Sequence, residues 1–68
     1  MNKNNEFGVR LRKIRKQNNL TQQELSKKAG ISNPEISKYE NGYYEPTVRT
    51  LNWLCQALNV KSVDLLGW

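Results

Sequence analysis

The chain has no histidine, a single cysteine, two prolines, one phenylalanine, and six acidic residues against eleven basic ones. Without histidine or clustered carboxylates, and with only one thiol, it lacks the usual ingredients of a zinc site, a catalytic triad or a paired-acid mechanism. No enzyme activity, metal or other cofactor is therefore expected. One cysteine cannot close an internal disulfide, and Cys55 falls in a helical apolar pattern where a small hydrophobe fits. It reads as a core residue rather than a catalytic thiol, and a reducing cytoplasm is the simplest compartment. No apolar run approaches membrane-spanning length, and Met1-Asn2-Lys3-Asn4-Asn5 is a polar start with no secretory core after it. The protein is expected to be soluble and unexported.

What is present is small and basic. The length of 68 residues suits one domain, held by a compact and regular core. A formal charge of +5 suits a polyanionic partner, and by itself would suit an acidic membrane surface equally well.

The order of residues from Thr21 to Gly42 is more specific. Thr21 and Ser32 are each followed three residues later by a glutamate, Glu24 and Glu35, the capping-box spacing that opens a helix. Ala29-Gly30-Ile31 leaves only a short connection between them, and Gly30 can take the positive φ at which a helix stops. Two helices joined so tightly must cross steeply, which calls for a small residue near the crossing; Ser26 lies one turn before Gly30. Leu25, Ala29, Ile31, Ile36 and Tyr39 supply the shared seam. The pattern is a helix-turn-helix, and it points to DNA.

Around this unit the apolar spacing predicts three more helices. Residues 1–5 read as a flexible start, and residues 6–68 as one domain. Phe7, Leu11 and Ile14 mark a first helix running to about Gln17. Helix two covers about Gln22 to Lys28, and helix three Asn33 to Glu40, with Pro34 tolerated in its first turn and Asn41-Gly42 as its stop. Thr47 caps a fourth helix from about Val48 to Leu58, with Val48, Leu51, Leu54, Cys55 and Leu58 expected as an inward stripe. Ser62 opens a fifth turn through Leu66. The expected fold is all-α with five helices.

The segment LTQQELSKKAGISNPEISKYENG, preceded by RLRKIRK and followed by EPTVRTLNWLCQAL, resembles the Cro/CI-type (XRE-like) helix-turn-helix family of bacterial and phage transcription regulators. Leu20-Thr21-Gln22, Ala29-Gly30-Ile31 and Glu40-Asn41-Gly42 carry the likeness, which runs from about Phe7 to Leu66. The resemblance implies a lambda-repressor-like domain whose third helix reads the major groove of double-stranded DNA. Carried across residue by residue, it sets Asn33, Pro34, Ser37 and Lys38 against base edges. Asparagine can bond adenine bidentately and lysine can reach guanine. Pro34 departs from the polar residue often found there and offers only apolar contact. Gln22, at the start of helix two, and Asn41 match positions that meet phosphate. From the basic first helix Arg10 and Lys13 are the first candidates for phosphate contact. Tyr43 and Tyr44 stand where relatives often have a basic residue, and a tyrosine hydroxyl can still bond phosphate.

Glu40 turns a carboxylate toward the core and needs a partner. The family commonly pairs an arginine with it, which makes Arg15 and Glu40 a structural ion pair. Trp53 lies off the inward stripe of helix four. With Leu66 and Trp68 it is expected to form a twofold homodimer contact, the other possibility being that Trp68 folds over Trp53 in a monomer. The resulting expectation is a sequence-specific transcriptional regulator, most simply a repressor on a palindromic operator, with activation left open. Two rivals differ in class: an antitoxin-like protein that neutralises a protein partner and controls its own operon, and a basic helix that binds acidic membranes.

Overall fold

Three helices open on a hydroxyl that accepts a hydrogen bond from the amide three residues on. Thr21 accepts from Glu24 at 3.0 Å, Ser32 from Glu35 at 3.3 Å and Thr47 from Thr50 at 3.2 Å. Such caps contribute about 1 kcal/mol each, and they fix where each helix starts. In the computed structural model, which describes residues 5–43 and 45–67, the helices are α1 (Asn5–Gln17), α2 (Gln22–Ala29), α3 (Asn33–Glu40), α4 (Val48–Leu58) and α5 (Ser62–Leu66). There is no strand among the described residues. What was expected of residues 1–4, Tyr44 and Trp68 lies outside them, whereas Asn5, expected in the flexible start, opens α1.

Thr21 forms the full capping box, since its own amide donates to the Glu24 carboxylate at 2.8 Å. Ser32 forms half of one: its hydroxyl, rather than its backbone N–H, donates to the Glu35 carboxylate at 3.3 Å. At the other ends, Gly30 takes φ 74° and its amide donates to the Ser26 carbonyl, so α2 stops there. The Ser26 hydroxyl donates to the Ile31 carbonyl and ties both sides of the turn to one side chain. Asn19 and Asn59 adopt positive φ after α1 and α4, a conformation asparagine tolerates better than most residues.

The core is built from every helix. Leu11, Leu25, Ile36, Leu54 and Leu65, one from each helix in turn, are inaccessible to solvent, and burying each contributes about 1.5–3 kcal/mol. α1 packs on α3 and α5, α2 on α3 and α4, and α4 on α5, so the five helices close into a ring around the core. The stripe expected on α4 is displaced. Ala57 is buried in it, Leu51 is half-buried, and Val48 is 76% exposed because the first turn of α4 overhangs the edge of the core.

Gly8 sets how closely α1 meets α3. A Cβ added there would lie 2.7 Å from the Glu40 carbonyl oxygen and closer still to that of Tyr39. The contact is completed by Phe7, whose ring meets Tyr39 edge-on at 6.1 Å between centroids.

Candidate nucleic-acid interface

The close approach at Gly8 brings one face of α1 over the end of α3, and Glu40 is the residue they share. Its side chain is fully buried. Arg15, itself buried, donates from Nε to Oε2 at 2.6 Å and from Nη2 to Oε1 at 3.0 Å, while its Nη1 donates to the Leu20 carbonyl at 2.8 Å. The Arg15–Glu40 ion pair is thus bidentate, and it also holds the end of the α1–α2 connection.

Two further donors converge on the same carboxylate. Gln22 Nε2, from the first residue of α2, donates to Oε1 at 3.0 Å, and Arg12 Nε donates to it at 3.3 Å. Arg12 Nη2 donates to Asn41 Oδ1 at 3.3 Å, and Asn41 Nδ2 donates to Ser37 Oγ at 3.4 Å. One buried anion therefore orients an arginine, a glutamine and, through the arginine, an asparagine, all at one end of α3. Burial pushes the Glu40 carboxyl up. The hydrogen bonds from Arg15 and Gln22, the charge of Arg15 and the hydrogen bond from Arg12 outweigh it and bring it below its ordinary value of 4.5.

That shift has a defined sign. The unfolded chain takes up the Glu40 proton more readily than the folded one, so the stabilisation is fully present above about pH 4.5 and is lost as pH falls through the folded value. Thermal melts between pH 6 and pH 3 should fall more steeply for the wild type than for the Arg15→Met/Glu40→Leu double variant. Parallel curves would take Glu40 out of the acid response.

On α3 the buried positions are Ile36, Tyr39 and Glu40. Pro34 and Lys38 are exposed and Ser37 is half-buried, and these three turn away from Ile36, whereas Asn33, on the Ile36 side, is exposed because it lies in the first turn. Tyr43, just past the end of α3, is exposed, with its amide donating to the Lys38 carbonyl at 3.0 Å.

The helix-turn-helix family profile matches residues 11–66 of this chain. The chain belongs to the XRE-type helix-turn-helix family. It is similar to antitoxin PezA of Streptococcus pneumoniae, 37% identical over 61 residues that make up 90% of this chain and 39% of the antitoxin. It is also similar to the immunity repressor of Bacillus phage phi105, 33% identical over 60 residues, 88% of this chain and 42% of the repressor. The helix-turn-helix chain thus spans about two fifths of the length of each of these curated relatives. Among solved structures, the restriction-modification controller protein C.AhdI from Aeromonas hydrophila superposes with a TM-score of 0.87 at 26% identity, over 91% of this chain and 94% of that one.

Within this helix-turn-helix domain, the residues singled out from sequence other than Asn33, Pro34, Lys38 and Tyr43 fall into three groups. Gln22, Asn41, Ser37, Arg15 and Glu40 are joined in one hydrogen-bonded cluster. Arg10 stands apart from it. It lies two residues from Arg12, about 160° around the helix, pairs with Glu6 at 3.7 Å, and its guanidinium occupies the space a Cβ on Gly67 would need. Arg12 was missed, although its three-residue spacing from Arg15 sets the two on one face. Lys13 borders a shallow cavity on α1 that Val9, Arg12 and Lys16 also line. In the third group, Trp53 is 42% exposed on α4, five residues and about 140° around that helix from Val48. Leu66 lines a groove on the Val48 and Leu51 side, so Trp53 and Leu66 do not share one face of α4.

Cys55 is buried, and burial, with the nearby charge of Asp64 second, pushes its thiol up. A thiol so placed stays protonated and packs as a hydrophobe. None of the helices is long and apolar enough to cross a membrane among the described residues.

Proposed function

We propose that this chain is a sequence-specific, double-stranded DNA-binding transcriptional regulator acting in the cytoplasm, most simply a repressor that occupies an operator. The observation that carries this reading is the Glu40 cluster. It sets Arg12, Gln22 and Asn41 around the end of the helix that carries Asn33, Pro34, Ser37 and Lys38. In this reading the four α3 residues meet base edges, while Gln22, Asn41, Tyr43 and Arg12 meet phosphates, with Lys13 and Lys16 continuing the track along α1. Arg12, rather than Arg10, is the arginine of α1 in this set. The contacts divide as they do in protein–DNA complexes, with phosphates fixing register and bases giving identity. In this reading the chain is a homodimer on an operator with two half-sites, and Trp53 and Val63 are two of the large apolar side chains that α4 and α5 leave exposed, Val48 being the third. No catalysis is assigned to the chain.

Selection of binding sites from random duplexes tests this reading directly: one recovered motif supports it, and indifference to sequence sinks it. On the selected site, Asn33→Ala should cost about 1–3 kcal/mol and flatten preference at one base step, leaving non-specific binding nearly unchanged. Equal losses on selected and scrambled duplexes would remove Asn33 from readout. Arg12→Ala should weaken binding to all duplexes alike and reduce the log–log salt slope by about 1, whereas Arg10→Ala should leave that slope unaltered. The reverse ranking would return the contact to Arg10.

A second reading adds a protein partner. The likeness to a relative named as an antitoxin favours it. Purification from the native host decides it, because a stoichiometric partner should come down with the chain.

A further inference from the structure

The apolar stripe of α4 is one turn longer than the core that covers it. Val48, the most exposed large apolar side chain described, continues the line of Leu51 outward, with Phe7 from α1 and Leu66 from α5 beside it. Together they line an open groove of about 330 Å³. Its edges carry Glu6 and Glu45, two of the six acidic residues of a chain whose net charge is +5. Glu45 has no cation within ion-pairing distance among the described residues, and Glu6 has only the 3.7 Å contact with Arg10, where both side chains are substantially exposed. An acidic edge repels phosphate, so this groove does not extend the DNA surface. Exposed apolar side chains between two carboxylates complement an apolar segment flanked by positive charge.

We infer that the groove between α1, the first turn of α4 and the end of α5 docks an amphipathic segment of a partner protein, one whose apolar side chains are flanked by lysine or arginine. The inference gives the partner reading a surface and a chemistry, and it is independent of whether the chain binds DNA. Val48 and Leu51 supply the apolar contact, and Glu45 selects the charge. Electrostatic selection of this kind discriminates between partners more than it raises affinity.

The probe is a synthetic amphipathic helix with leucines along one face and lysines at both ends, labelled for fluorescence anisotropy and titrated with the whole chain. Two controls replace its lysines with glutamate or its leucines with serine. The lysine–leucine peptide should bind, and each control should bind about tenfold more weakly. Val48→Asp, an exposed position with little part in the fold, should abolish binding, Glu45→Lys should weaken it, and Trp53→Ala should not change it. Helicity measured alongside keeps a folding defect from being read as a docking defect.

Failure of the lysine–leucine peptide to bind, or equal affinity for all three peptides, overturns the inference. Sensitivity to Trp53→Ala but not to Val48→Asp also overturns it, moving the contact to the outer face of α4 while the partner reading stands. Sedimentation in which Val48→Asp dissociates a dimer would assign the groove to a second copy and overturn it as well. Absence of any co-purifying protein from the native host removes the partner reading itself, whatever the peptides show of the groove.

Discussion

Glu40→Ala is expected to unfold the domain. The substitution leaves Arg15 buried with its charge unanswered, and breaking such a pair from one side costs about 3–5 kcal/mol. A core of this size rarely supplies more than about 3–5 kcal/mol in total. Helicity at 25 °C should therefore collapse or melt without cooperativity. Replacing both partners, as in Arg15→Met/Glu40→Leu, removes the charges together and should restore a cooperative fold, because well-packed apolar substitutes for a buried ion pair are often neutral or stabilising.

The rescued variant separates shape from binding. Arg12 and Gln22 would keep their backbone positions but lose the carboxylate that orients them, so DNA affinity should stay low on every sequence even though the fold has returned. If the double variant binds as the wild type does, the cluster is a scaffold and its donors do not need holding. If Glu40→Ala stays fully helical, the ion pair is not what keeps α1 on α3.

Gly8→Ala should give the next largest loss. Alanine favours a helix interior over glycine by about 0.8–1.0 kcal/mol, so local preference alone predicts a gain. The added methyl, however, would meet two backbone carbonyls of α3, which cannot turn aside as a side chain can. Overpacking costs about 1–3 kcal/mol and more where backbone must move. Since 1 kcal/mol shifts the melting temperature of a domain this size by about 4–8 °C, a fall of about 10 °C is expected in a thermal melt. A rise in melting temperature would show that α1 shifts freely on α3.

These two residues also mark what can be read from the chain alone. Helix starts were legible because a cap is local: Thr21 with Glu24, and Thr47 before an apolar stripe, need no knowledge of what lies across the molecule. Gly8 gave no such signal, since its meaning is an approach to residues more than thirty positions away. Arg15 and Glu40 could be paired because Glu40 was out of place on an inward face and the family resemblance supplied the arginine. That Arg12 rather than Arg10 reaches Glu40 turned on rotation of α1. Two arginines in one basic run are alike in composition, and only the line through Gly8, Leu11 and Arg15 separates them. Val48 failed for a related reason. Periodicity sets the face of a helix but not where the neighbouring surface ends, so the stripe continued in sequence past the edge of the core.

The helix proposed to read bases is held by polar side chains at one end. Glu40 ties the last turn of α3 into the buried ionic cluster, whereas Asn33, Pro34 and Lys38 are exposed and their side chains make no hydrogen bond among the described residues. Mutation at these three positions therefore meets little resistance from folding. Under the proposed reading, a lineage carrying this domain can drift from one target sequence to another by changing residues that stability does not police, while the anchor that aims the helix is inherited intact.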